Sequence, residues 1–168
     1  RRACAVARRG VAQALAAGGL TIGPDILAAS VNGASTDLSA PLTHDATVEP
    51  LRFDSAEGRE VYRHSSTHIM AQAVKELFPT AQLTIGPALE DSFYYDFAFE
   101  RPFTPEDLEK IEQRARDIAA RKLPVHRREM GKQEAAEFFK SRGEHYKVEL
   151  IQGFPDGEPI SVYAQGDF

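Results

Sequence analysis

The sequence predicts an α+β fold in two units, on three observations. Stretches with strand-like and helix-like patterns are mixed, without the regular strand–helix alternation of a wound parallel sheet. No internal repeat or low-complexity segment organises the chain. A helix-start signal near Asp54 separates residues 1–53, too little chain for a large core, from residues 54–168. With 168 residues, 42% of them hydrophobic and 27% charged, the composition is that of a folded globular protein rather than a disordered or collagen-like one.

In the first unit, Val-Ala-Gln-Ala-Leu-Ala-Ala over 11–17 is a run of strong helix formers stopped by Gly18-Gly19. An apolar patch, Ile26 to Val31, ends at Asn32-Gly33, the pair that suits a two-residue hairpin turn because both positions tolerate positive φ. Strand, turn and strand are expected there, and Thr47 to Leu51 completes the unit. Residues 1–9 match no hairpin pattern.

In the second unit, Asp54 with Glu57 three residues later reads as a capping box, and one long helix is expected up to Phe78-Pro79. Leu83 to Phe99 is dense in aromatic and β-branched residues around Gly86-Pro87, which predicts a turn and strands. Thr104-Pro105 with Asp107 opens another helix whose inward stripe is Leu108, Ile111, Ala115, Ile118 and Ala119. A strand over 125–130, a helix over 132–142 stopped by Gly143, and a strand at Ile160, Val162 and Ala164 follow. Tyr146, Val148 and Leu150 alternate as a half-buried strand would, which puts Lys147 on the opposite face.

Several function classes are excluded or weakened by composition. No stretch approaches the eighteen or so apolar residues of a membrane-spanning helix, and the Ala3–Ala7 run is broken by Arg8-Arg9, so neither a span nor a signal peptide is read. The single cysteine, Cys4, cannot close an internal disulfide, which fits a reducing compartment and makes the cytoplasm the expected location. Residues 1–53 hold five Arg against four Asp/Glu, leaving fifteen Lys/Arg against twenty-one Asp/Glu in the remainder. Such an acidic second unit does not grip a nucleic-acid backbone by charge alone, so any RNA contact is expected to be local.

The chemistry-bearing residues centre on His64-Ser65-Ser66-Thr67-His68. Two histidines four apart lie on one helix face and can reach one metal or one water. The stripe Ile69, Met70, Ala73, Val74, Leu77 and Phe78 lies on the other side, so the pair does not point into that core. The plain alternative is a solvated face shared with Gln72 and Lys75. His44, His126 and His145 fall in unrelated segments with no cysteine nearby, so no metal site is predicted. A lone strand lysine such as Lys147 is most often solvated. Of Tyr94 and Tyr95, strand alternation sends one inward and one outward without saying which.

Four ordered blocks carry a family resemblance. Tyr62-Arg63-His64-Ser65-Ser66-Thr67-His68 resembles the helix that opens the editing domain of bacterial threonyl-tRNA synthetases. Thr84 to Phe97 resembles that family's Ile-Gly-Pro segment leading into Gly-Phe-Tyr-Tyr-Asp, with Ser92 in place of the glycine. Arg101-Pro102-Phe103-Thr104-Pro105-Glu106-Asp107 resembles its capped helix, and Arg142-Gly143-Glu144-His145-Tyr146-Lys147-Val148 its Gly-Glu-x-Tyr-Lys-Val block. Val31-Asn32-Gly33 with Asp37-Leu38 and Pro41-Leu42 resembles the second half of a TGS domain, the ubiquitin-like module of the same synthetases. A glycine at position 92 would permit positive φ or close backbone approach, which Ser92 makes costlier.

The resemblance implies a partial β-grasp TGS domain over 1–53 and a truncated α+β editing domain over 54–168, with a long His-bearing helix and an antiparallel or mixed sheet. It implies hydrolysis of mischarged seryl-tRNA(Thr), with His64 activating or ordering water and His68 shaping the same wall. Lys147 and Tyr95 would then place the seryl group and the tRNA end. The block Asp-x-Cys-Arg-Gly-Pro-His that completes this site in the family follows the segment corresponding to Gln165-Gly166-Asp167-Phe168, so an incomplete site is expected. No cofactor is expected here: ATP, Mg and Zn belong to the family's catalytic core, which is expected to be absent. The implied partners are threonine tRNA, through its mischarged 3′ end, and the rest of the synthetase, with homodimerisation through other domains. The alternative is a non-catalytic module that binds tRNA or protein.

Overall fold

The structure is a computed structural model that describes residues 3–5, 10–87 and 89–168. It is mixed α+β, with five helices and small antiparallel sheets among the described residues. The chain divides into two compact units, residues 1–65 with 88–92 and residues 66–87 with 93–168.

The first unit is a four-stranded sheet with one packed helix. Strands β1 (Ala3–Ala5), β2 (Ala28–Val31), β3 (Ala34–Thr36) and β4 (Ala46–Leu51) lie in the order β1-β4-β2-β3, each neighbouring pair antiparallel. Apart from Ala3–Ala5, the expectation for residues 1–9 falls outside the described residues. Val31 pairs with Ala34 across Asn32-Gly33, whose φ values of 51° and 89° are the positive pair a tight hairpin turn demands. Asn32 Oδ1 also accepts from the Thr47 N–H at 2.9 Å, tying the turn to β4. Helix α1 (Val11–Ala17) buries Val11, Ala14 and Leu15 against Ile26, Ala29, Leu42, Ala46 and Val48 in one small core.

Helix α2 (Ala56–Leu77) is the long helix the sequence predicts, but its cap differs. Ser55, not Asp54, does the capping: its Oγ accepts from the Gly58 N–H at 3.0 Å and donates to the Arg52 carbonyl at 2.9 Å. The short hydroxyl reaches the third N–H from its own position, and the helix therefore begins one residue later.

In the second unit, β5 (Gln82–Leu83) pairs antiparallel with β6 (Phe97–Ala98), and β7 (Val125–Met130) pairs with β8 (Ile160–Gln165). Among the described residues of the aromatic-rich stretch, the named strands are the two-residue β5 and β6. Its rings pack instead into a cluster: Phe97 and Phe99 each meet Phe103, with centroids 5.8 and 5.4 Å apart, and Phe78 meets Phe99 and Phe103 at 5.4 and 5.3 Å. Helix α3 (Pro105–Ala120) has the expected cap, with Thr104 accepting from the Asp107 N–H and Asp107 accepting from the Thr104 N–H. Its inward stripe is narrower than predicted. Ile111 and Ile118 are buried and Ala115 partly so, whereas Leu108 is 57% exposed and Ala119 is exposed as well, because one turn-spaced row suffices to meet α2.

Helices α4 (Lys132–Ser141) and α5 (His145–Gln152) complete the unit, the second of them contradicting the predicted strand at Tyr146, Val148 and Leu150. Gly143, at φ 72°, ends α4 and turns the chain so that Glu144 becomes the residue preceding α5. The inward positions are Glu144, Lys147, Val148 and Ile151, a spacing of three and four, while Tyr146 and Leu150 are exposed. The odd–even alternation that suggested a strand is two exposed positions one helical turn apart with Val148 between them. Ile151 joins Met130, Ala135 and Val162 in a second small core.

Candidate functional site

Of the four residues singled out by sequence, the structure places His64 and His68 one turn apart on α2, Tyr95 in the loop before β6, and Lys147 on α5. His64 is exposed and belongs to the first unit; the other three belong to the second. His68 is half-buried, its ring centroid 6.0 Å from that of Tyr163 on β8. The flank these histidines share is not a wholly solvated one, since Gln72 is 4% exposed and Lys75 is engaged in an ion pair.

Tyr94 points outward and Tyr95 inward, which resolves the alternation left open by the sequence. The Tyr95 ring stacks on Phe97 at 4.8 Å and covers Gly86, where a Cβ would sit 2.2 Å from the ring. Gly86 therefore acts through its missing side chain, as a floor for Tyr95. Ser92 adopts no positive φ, the non-glycine residues that do so among those described being Asn32 and Lys122. It sits in a loop where its carbonyl accepts from the Leu89 N–H at 2.8 Å, so the conformational cost expected of the serine does not arise.

The same unit buries a charged residue to which sequence reasoning gave no role. Glu144 is 7% exposed, and its Oε1 lies 2.8 Å from Lys75 Nζ, which also donates to the Ala81 carbonyl at 2.9 Å. Burial, and then the Glu144 charge, push the Tyr95 phenol up to about 12, so it is a protonated donor at neutral pH. Burial pulls the Lys147 ammonium below the ordinary lysine range, and Glu144 opposes that fall. The Lys147 ammonium also lies over the Phe139 ring, 5.6 Å from its centroid. The sequence signals for Glu144 are its position three residues before Lys147 and its place in the Gly-Glu-x-Tyr-Lys-Val block. Its partner Lys75 is distant in sequence, on the helix face for which solvation is the plain alternative.

The second unit offers a partly desolvated cation at Lys147, a protonated phenol at Tyr95 and a buried carboxylate at Glu144. Such groups bind and polarise an oxygen-rich ligand more strongly than they would in water. Among the described residues no group of three or more His, Cys, Asp or Glu side chains lies close enough to hold a metal ion. No helix among them is long and apolar enough to cross a membrane.

No family model matches the chain. Among curated proteins, the threonine–tRNA ligase of Symbiobacterium thermophilum is 53% identical over 158 residues, 94% of this chain and 24% of that protein. That of Methylococcus capsulatus is 53% identical over 151 residues, 88% of this chain and 24% of its own length. That of Magnetococcus marinus is 54% identical over 142 residues, covering 84% and 22% respectively. Half-identity sustained over most of its residues means that the chain belongs to the threonine–tRNA ligase family, and it spans about a quarter of the length of the curated relatives it matches.

Proposed function

We propose that the chain is the N-terminal region of a threonine–tRNA ligase, with a partial TGS domain over 1–53 and most of an editing domain over 54–168. In this reading the second part helps hydrolyse the ester that joins serine to the 3′ end of threonine tRNA. The carrying observation is a half-buried Lys147 and a half-buried, protonated Tyr95 within one compact unit of a chain half identical to threonine–tRNA ligases.

The need for such a reaction is physical. A synthetic pocket that accepts threonine rejects serine only by the missing methyl group, worth about 1–3 kcal/mol, so a second site must remove the error. Ester hydrolysis requires a placed water and charge stabilisation where the oxyanion develops. Lys147 and Tyr95 supply a cation and a neutral donor to hold the seryl group and the tRNA end. His64 orders or activates the water, and His68, one turn further along α2, forms part of the same wall. The tRNA contact is confined to the 3′ end, in keeping with the chain's net charge of −5.

The test is serine release from seryl-tRNA(Thr) by a complete ligase containing this segment. His64→Ala should slow release about 100-fold, the lower range for loss of an acid–base group, while threonylation stays unchanged. Unchanged serine release in that variant would remove His64 from the mechanism.

A further inference from the structure

Two arginines of the second unit stand apart from the others. Arg101, Arg114, Arg116, Arg121 and Arg127 each pair with a carboxylate. Among the described residues, Arg128 and Arg142 pair with none, and no hydrogen bond engages either guanidinium. Both lie instead over one ring, that of Phe138 on α4, with Cζ 4.6 and 4.4 Å from its centroid. The fold brings them there from two elements. Arg128 is two residues from buried Met130 on β7 and opposite buried Val162 on β8, so it shares the face that packs against α4. Arg142 closes α4, one turn after Phe138. The acid beside Arg128 in sequence, Glu129, is already taken by Arg127 at 2.8 Å.

Two cations on one ring repel each other, and an anion shared between them relieves that repulsion. A guanidinium laid against a ring is also held in orientation while its N–H fork stays available for the two-pronged contact that a phosphate accepts. The cluster continues toward Lys147. Phe138 meets Phe139 edge to face at 5.1 Å, and the Lys147 ammonium lies 5.6 Å from the Phe139 centroid. Laid end to end, these spacings hold Lys147 Nζ within about 15 Å of either guanidinium. We infer that Arg128 and Arg142, carried on Phe138, form a phosphate-binding site for the backbone of the tRNA strand that leads to the 3′ end. This rests on the editing reading for where that end lies. Three cations within so short a span suit the successive phosphates of one RNA strand better than the scattered carboxylates of a protein surface. They also let a unit richer in Asp and Glu than in Lys and Arg hold RNA, because the contact is local.

The experiment measures how a complete ligase containing this segment binds seryl-tRNA(Thr) whose serine is joined by a non-hydrolysable amide, over a range of salt concentrations. Arg128→Gln and Arg142→Gln should each weaken binding about tenfold, as loss of a hydrogen bond to a charged group does. Each should also flatten the plot of log affinity against log salt by about 0.7–0.9, the share of one phosphate. Arg128→Lys and Arg142→Lys should keep the slope, because the charge remains, yet lose affinity with the fork. Unchanged affinity and slope in the folded Gln variants overturn the inference. Weaker binding with an unchanged slope overturns it as well, because that outcome marks a packing role. Should the Gln variants fail to fold, the Lys variants decide, and parental affinity in both counts against the site. A parent ligase that binds the amide but releases no serine from the ester would instead sink the editing reading, leaving the salt slopes to decide the arginine site on their own.

Discussion

Lys147 carries its charge into a place that charge alone would not choose. Its folded-state affinity for a proton is below that of an exposed lysine, whose ordinary value is 10.5. The unfolded chain therefore holds the proton more tightly. The resulting loss of stability is fully present at neutral pH and fades as pH rises toward the ordinary lysine value. Lys147→Met should accordingly leave the thermal midpoint at pH 7 unchanged or higher, while abolishing ligand contacts made by the ammonium. A clear fall in that midpoint would mean that the charge stabilises the fold. Gly86 works in the other direction. A Cβ there would meet Tyr95 Cδ2 at 2.2 Å and Cγ at 2.7 Å, too close for a rotation of the phenol tip to relieve. Gly86→Ala should cost about 1–3 kcal/mol by urea unfolding, the usual range for overpacking, and displace Tyr95 from Phe97. At this scale the sequence exposes His64, His68, Tyr95 and Lys147 as candidates but not the Glu144–Lys75 pair. A pairing between a helix start and a distant helix leaves no periodic trace.

Among elements, the ends of helices were the most legible parts and the irregular segments the least. Thr104-Pro105 with Asp107 reads as a helix start because each side chain has one job there, and the structure adds Arg101, which pairs with the Asp107 carboxylate. That pairing, followed by the Thr104 N–H, lowers Asp107 from 3.8 to about 2. A lowered carboxylate contributes stability that is present above its ordinary value and is lost as pH falls through 3.8 toward 2. Asp107→Asn should therefore be less stable than the parent at pH 6 and converge with it near the lower value, as followed by thermal melting across pH. A difference that persists unchanged in acid would contradict this origin. At the start of α2, Gly58 sets two effects against each other. Alanine would gain about 1 kcal/mol of helix propensity, yet its Cβ would fall 1.7 Å from the Arg52 carbonyl oxygen, a backbone atom. The clash wins, so Gly58→Ala should lower stability by at least about 1 kcal/mol in urea unfolding. Helix α5 was misread because a strand period and a helix period agree over five residues when two exposed positions sit four apart. The aromatic run before α3 forms a shorter ladder than its β-propensity suggests, because that propensity records burial, which the ring cluster also provides.

For the molecule as a whole, the α+β class was readable from the mixture of periods, as was the family from ordered blocks spread over most of the second unit. Half-identity to threonine–tRNA ligases over 84–94% of the chain agrees with that reading. What the sequence could not supply was the arrangement in space, in which one buried carboxylate is held by a lysine from a distant helix. The central claim, that this segment belongs to a machine that clears serine from threonine tRNA, is open to a direct exchange. The chain can replace the matching segment of the Symbiobacterium thermophilum ligase, to which it is 53% identical over 158 residues, and serine release from seryl-tRNA(Thr) can be compared before and after exchange. Release retained in the chimera and lost on further Lys147→Ala substitution is the predicted result. A chimera that still charges threonine but accumulates seryl-tRNA(Thr), or one in which Lys147→Ala changes nothing, would contradict it.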